Sequence, residues 1–145
     1  MRKVSKNLQE TNKIAKLFAD KILQNKISGA LVVGLSGDLG TGKTAFTKAL
    51  AKHLGIREKV DSPTFVIMRK YNLKNQKHKA LLHFDAYRLK DEKELLNLGW
   101  QGIIGNKDHL IIIEWPENVK KVLPKNTQYI YFTHNEGDSR ILELT

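Results

Sequence analysis

The sequence contains no cysteine. That excludes a disulfide framework, a thiolate zinc site and a catalytic thiol, and it suits a reducing compartment. Proline is scarce, at three residues in 145, and there is no Pro- or Gly-rich stretch, internal repeat or low-complexity tract. Nothing marks a linker, so one compact domain over residues 1–145 is expected. Long apolar runs are missing as well. The stretches near Ala30 to Leu35 and Leu110 to Ile113 fall far short of the ~20 residues needed to span a bilayer. Met1 to Asp20 mixes Lys, Asn and Glu with apolar residues and lacks a signal-peptide core and cleavage site, so a soluble cytoplasmic protein without a membrane role is expected.

What is abundant is positive charge. Twenty-five basic residues against fifteen acidic give a net charge of +10, which favours nucleic acid or acidic partners. The basic residues are mostly lysines scattered along the chain, and no block reaches the five or six like charges of a basic tail.

Periodicity gives a coarse architecture. Ile14, Leu17, Phe18 and Ile22 recur at helical spacing after the polar Asn7 to Asn12 stretch, predicting an amphipathic helix that stops before Gly29. Ala30 to Leu35 reads as a buried strand. Phe46, Leu50 and Leu54 form the inward stripe of a second helix, with Gly55 placed for a left-handed cap. Phe65 to Tyr71 and Ala80 to Ala86 read as strands joined by Asn72 to Lys79, a length that favours a hairpin. Asp91 and Glu94 have capping-box spacing before a short helix in which Leu95 and Leu98 face one way and which Gly99 ends. Leu110 to Glu114 is a strand, and Gln128 to Thr133 with Arg140 to Leu144 make a terminal hairpin. The class is α/β, with flanking helices and a mixed parallel and antiparallel sheet.

Between the first long strand and the second helix lies Gly37-Asp38-Leu39-Gly40-Thr41-Gly42-Lys43-Thr44, which fits G-x-x-x-x-G-K-[ST]. In such a P-loop the amides and the helix N-terminus make a positive cradle for phosphate oxygens. Lys43 is expected to reach the β- and γ-phosphates, and the Thr44 hydroxyl to coordinate Mg²⁺ on those phosphates. A chance match in a chain this long has a frequency on the order of 0.01 or less, and the strand entering and helix leaving are the setting the motif requires. Binding of a nucleoside triphosphate, ATP with Mg²⁺, is therefore expected.

A phosphate-bound Mg²⁺ calls for an acidic residue ending a neighbouring apolar strand. Glu114, after Leu110-Ile111-Ile112-Ile113, is chosen for the metal, directly or through water. Alternation in Leu82 to Tyr87 places His83, Asp85 and Tyr87 on one face, which is either a site or solvent-facing; a hydrogen-bonded structural role is the plain reading of His83. Nothing resembles the H-E-x-x-H of a zinc protease. The hydroxyls of Ser62-Pro63-Thr64 either sense a γ-phosphate or simply form a turn. Trp115 and Pro116 either stop the strand or place an aromatic ring where it can stack on a base or a partner.

The P-loop, Val60-Asp61-Ser62-Pro63-Thr64-Phe65, His83-Phe84-Asp85-Ala86-Tyr87-Arg88-Leu89 and Ile113-Glu114-Trp115-Pro116-Glu117 together resemble the TsaE family of bacterial tRNA threonylcarbamoyladenosine biosynthesis ATPases. The four motifs stand in the same order, and the resemblance covers almost the whole chain. The resemblance implies a three-layer P-loop fold and a small ATPase that works with a transferase complex of TsaD and TsaB acting on tRNA. ATP hydrolysis, weak in the isolated protein, would reset or regulate that complex. It further implies Asp85 and Thr64 near the γ-phosphate, Glu114 on the magnesium side and Thr11 near the nucleotide. The family commonly carries a second hydroxyl after the P-loop threonine. Here Ala45 stands there, leaving a backbone amide for phosphate and costing about 1 kcal/mol of side-chain contact.

Three other functions share some of these features. A small-molecule kinase would use Asp85 as base with Arg88 nearby, but no Arg-rich lid or acceptor segment is evident. A GTPase would need N-K-x-D, and Asn106-Lys107-Asp108-His109 fails at its fourth position and precedes a strand rather than following one. A nucleotide-gated RNA-binding module would show affinity falling steeply with salt.

Overall fold

The computed structural model describes residues 1–63, 66–74 and 76–145. Thr64 and Phe65 lie outside the described residues, and with them the Thr64 assignment and the start of the predicted third strand. Seven strands form one sheet: β1 (Arg2–Ser5), β2 (Leu31–Ser36), β3 (Met68–Asn72), β4 (Ala80–Asp85), β5 (His109–Glu114), β6 (Gln128–His134) and β7 (Arg140–Leu144). Their order is β1-β7-β6-β2-β5-β4-β3. The interior strands β6, β2, β5 and β4 are parallel, while β3 pairs antiparallel with β4, and β7 antiparallel with β6 and β1.

Parallel strands covered on both faces need apolar side chains at every position. Leu110, Ile111, Ile112 and Ile113 are accordingly all buried. On one face, Leu31, Val33, Leu35 and Ile112 pack against α1 (Leu8–Ile22) and α2 (Lys43–His53) through Phe18, Phe46 and Leu50. Phe46 is wedged between Phe18 at 6.2 Å and Phe132, edge-on at 5.6 Å. On the other face, Val32, Ile111 and Ile113 pack against α3 (Lys93–Asn97), α4 (Trp100–Ile104) and a 3-10 segment, Pro116–Val122, kinked at Val119. The Trp100 ring meets Phe84 edge-on at 5.2 Å and its indole N–H donates to the Val122 carbonyl at 2.9 Å, so both its apolar body and its polar tip are satisfied.

Several expectations are corrected. Strand β1 has no counterpart in the periodicity reading, because its residues are mostly exposed and only its pairing with β7 makes it a strand. The polar Asn7 to Asn12 stretch is not a lead-in. Asn7 is the N-cap of α1, its side chain accepting from the Glu10 amide, and Glu10 returns the bond to the Lys6 amide. Asp91 accepts instead from the Lys93 amide two residues on, an Asx turn rather than a capping box. Leu95 is buried but Leu98 is exposed, and Gly99, at φ 82°, joins α3 to α4.

The 3-10 segment can lie on the sheet only because β2 carries a glycine at its fourth residue. A Cβ on Gly34 would come within 2.9 Å of both the Pro116 ring and the Tyr129 ring, each anchored in its own element. Gly34→Val is expected to destabilise the protein by about 1–3 kcal/mol through overpacking. A urea titration would show this as a lower midpoint at unchanged slope; an unchanged midpoint would mean that the 3-10 segment moves aside without cost.

Candidate functional site

Strands β2, β5 and β4 run parallel in adjacent register, so they end along one edge. Leu35 stands opposite Glu114, and Glu114 opposite Asp85. Ligands of open α/β sheets bind outside this carboxyl edge. The glycine loop leaves β2 there and delivers the chain into α2 through Gly42, whose φ of 101° is a left-handed conformation that side chains resist. The first amides of α2 have no partners within the helix, and its dipole adds to their attraction for an anion.

Lys43, the first residue of α2, is 5 % exposed. Its ammonium folds back onto the loop, donating to the carbonyls of Gly37 and Asp38, and lies 4.0 Å from the centre of the Trp115 ring. Burial pushes the Lys43 pKa below its ordinary value, opposed by the charges of Glu114, Glu117, Asp85 and Asp38. Trp115 follows β5 in a left-handed conformation (φ 60°), uncommon for a bulky residue, and its ring also packs against Tyr87 at 5.0 Å.

Glu114 is buried, with Oε1 3.4 Å from the Thr44 hydroxyl and Oε2 2.7 Å from His83 Nε2. Asp85 is buried beside it, accepting from the Tyr87 amide at 2.9 Å and from the Ser62 hydroxyl at 3.1 Å. His83 is wholly buried and Asp85 nearly so, while Tyr87 beyond them is exposed. The face read as site or solvent is thus an inward-facing polar cluster under the N-terminus of α2. Among the described residues no three His, Asp or Glu side chains form a metal cage. One carboxylate and one hydroxyl, both hard oxygen donors, are nevertheless the protein complement that suits Mg²⁺ carried on phosphates.

Lys43, Thr44, Asp85, Glu114 and Trp115 therefore converge, while Asp38, Leu39 and Gly40 form the exposed crest of the loop. Thr11 does not join that cluster. It lines a separate cleft of about 370 Å³ with Thr41, Gly42 and Ala45, its hydroxyl 2.7 Å from that of Ser5. Lys6, Phe132, Asp138 and Arg140 line the same cleft and were missed by sequence reasoning. The pairing of β1 with β7, which no local pattern signals, brings Lys6 there, while Phe132, Asp138 and Arg140 arrive with the terminal hairpin laid beside β2.

A mixed seven-stranded sheet between two helical layers, with a glycine loop at the carboxyl edge of its central strand, defines an α/β protein. Comparison with known proteins places it further. The family described as threonylcarbamoyl adenosine biosynthesis protein TsaE matches residues 5–142. A tRNA threonylcarbamoyladenosine biosynthesis protein TsaE of Haemophilus influenzae is 34 % identical over 91 % of this chain and 80 % of its own. Its namesake in Bacillus subtilis is 36 % identical over 96 % of this chain and 81 % of its own. The crystal structure of YdiB from the latter organism superposes with a TM-score of 0.77 at 30 % identity, covering 99 % of this chain and 83 % of that one. The chain belongs to the TsaE family. No helix among the described residues is long and apolar enough to cross a membrane.

Proposed function

We propose that this chain binds ATP with Mg²⁺ at the glycine loop, hydrolyses it, and through that cycle resets or regulates a TsaD and TsaB transferase complex that modifies tRNA. The observation carrying the nucleotide reading is the buried Lys43 ammonium held on loop carbonyls at the N-terminus of α2, with the Thr44 and Glu114 oxygens beside it. A lysine costs free energy to bury, and a phosphate chain entering the cradle gives it a counter-charge within bonding distance.

In this reading the loop amides from Asp38 to Ala45 hold the phosphates, and Lys43 turns from its carbonyls to the β- and γ-oxygens. Thr44 and Glu114 hold the metal, which when bound neutralises charge developing on the phosphate oxygens. With Glu114 given to the metal, the other buried carboxylate of the cluster, Asp85, orients the attacking water. The Ser62 hydroxyl donates to Asp85 Oδ2, so Ser62 and the attacking water share one carboxylate. That shared carboxylate couples the state of the nucleotide to the Ser62-Pro63-Thr64 segment, which a partner protein can read. Thr11 and the cleft around it would hold the nucleoside, and the positive surface offers a second, direct contact with tRNA.

Trp115 supplies a test. Its ring loses the Lys43 cation when the lysine turns to phosphate, whereas Trp100 is fully buried, its ring against Phe84 and its indole N–H on the Val122 carbonyl. ATP is expected to change the emission of the protein saturably; no change, with no binding by calorimetry, would overturn the nucleotide reading. Turnover with and without TsaD, TsaB and tRNA tests the rest. Partners that leave the rate unchanged, and modification that continues without this chain, would sink the regulatory role.

A further inference from the structure

His83 is the one fully buried ionisable side chain in this cluster to which the proposed reaction gives no role. It lies on β4 between Leu81 and Asp85, at a position where a parallel sheet ordinarily carries an aliphatic residue. None of its surface is exposed, its Nε2 is 2.7 Å from Glu114 Oε2, and its Nδ1 has no hydrogen-bond partner among the described residues. A carboxylate only accepts, so Nε2 carries the hydrogen and donates it. The ring accepts an unsatisfied buried atom, at a cost typical of such groups, to make a single bond.

That bond decides where the rest of Glu114 points. A carboxylate at the end of a two-carbon stem has three torsions to settle, and Thr44 alone, at 3.4 Å, is a weak anchor. With Oε2 held by His83, Oε1 is turned toward the Thr44 hydroxyl, the position from which the two oxygens can share one hard cation. We infer that His83 is a positioning residue for the magnesium site, its Nε2–H holding the Glu114 carboxylate in the orientation that serves the metal. The inference rests on the magnesium reading given above. It assigns to His83 the work of an outer hydrogen-bond partner, whose loss typically costs 10–100-fold in metal affinity.

The test is the Mg²⁺ dependence of binding of a fluorescent ATP analogue. His83→Leu removes the donor and keeps an apolar side chain of the kind the strand ordinarily carries. His83→Gln places an amide N–H where Nε2 stood. The expected result is nucleotide affinity in EDTA that is alike in all three proteins, and a Mg²⁺ midpoint raised about 10–100-fold in His83→Leu and largely restored in His83→Gln. Equal Mg²⁺ midpoints in wild type and His83→Leu would overturn the inference, as would a His83→Gln defect as deep as that of His83→Leu. A wild type that binds the analogue with no response to Mg²⁺ would overturn the magnesium reading and this inference together, a result told apart because the unaltered protein then fails too. Should His83→Leu not fold, the ¹⁵N spectrum of the wild-type imidazole decides. A hydrogen on Nε2, with a shift that moves when Mg²⁺ is added to the ATP complex, supports the role; an Nε2 without a hydrogen, or no movement, refutes it.

Discussion

Replacing Lys43 with alanine is expected to abolish ATP binding while leaving the folded protein as stable as before, or more so. Hydrogen bonds to a charged group are worth about 1.5–3 kcal/mol each, so losing even one costs roughly ten- to a hundredfold in affinity, and Lys43 is expected to reach two phosphates. In the absence of ligand the same ammonium is a burden. It is 5 % exposed, burial lowers its pKa, and its nearest partners are backbone carbonyls and an indole ring rather than a carboxylate within bonding distance. Alanine removes the desolvation cost along with the ligand contact. Thermal unfolding without nucleotide should therefore occur at the wild-type temperature or above, and the rise that ATP gives the wild type should vanish in the variant. A variant that keeps the ATP-dependent rise would refute the placement of the phosphates; one that unfolds well below wild type would refute the view that the buried charge is a cost.

Asp85→Asn should separate binding from chemistry. The amide oxygen still accepts from the Tyr87 backbone, and Ser62 can reverse its role and accept, so the local structure persists. What is lost is the negative charge that orients and polarises the attacking water, an effect worth about 10²–10⁴-fold in rate. Partner-stimulated turnover should fall by that factor with ATP affinity little changed, because the contact matters in the transition state rather than in the bound ground state. Equal loss of affinity and rate would instead place Asp85 among the groups that hold the nucleotide, and a rate near wild type would return the choice of base to Glu114.

The two ends of the site differed in how readable they were. From Gly37 to Thr44 the geometry is local: eight consecutive residues set the backbone, the helix start and the side chains, so the spacing alone indicates the loop. Glu114 was recoverable because an acidic residue closing an apolar strand is a local pattern as well, and the register of β5 against β2 and β4 puts it at the shared edge. The pairing of His83 with Glu114 was not. Alternation gives the face of a strand but not whether that face is wet, and only the packing of α2 over the sheet makes this one dry. Arg140 and Lys6 were hidden for a stronger reason, since they meet across a pairing between opposite ends of the sequence. Leu98 failed differently: helical spacing placed it with Leu95, but a helix of only five residues, turned at Gly99, has no second turn to carry the stripe onward.

The joining of β1 to β7 also bears on when the protein becomes competent during its synthesis. The glycine loop and α2 emerge early, well before Phe132, against which Phe46 of α2 packs. The cleft around Thr11 and Ala45 is walled by Ser5 and Lys6 on one side and by Arg140 and Leu142 on the other. β6, too, must insert beside β2 before the central strand has both its neighbours. A ribosome that has translated the motif, but not yet the terminal hairpin, therefore carries a phosphate cradle without the wall beside it and a central strand with one open edge. On the nucleotide reading proposed above, the wall beside the nucleoside is complete only after the hairpin has closed.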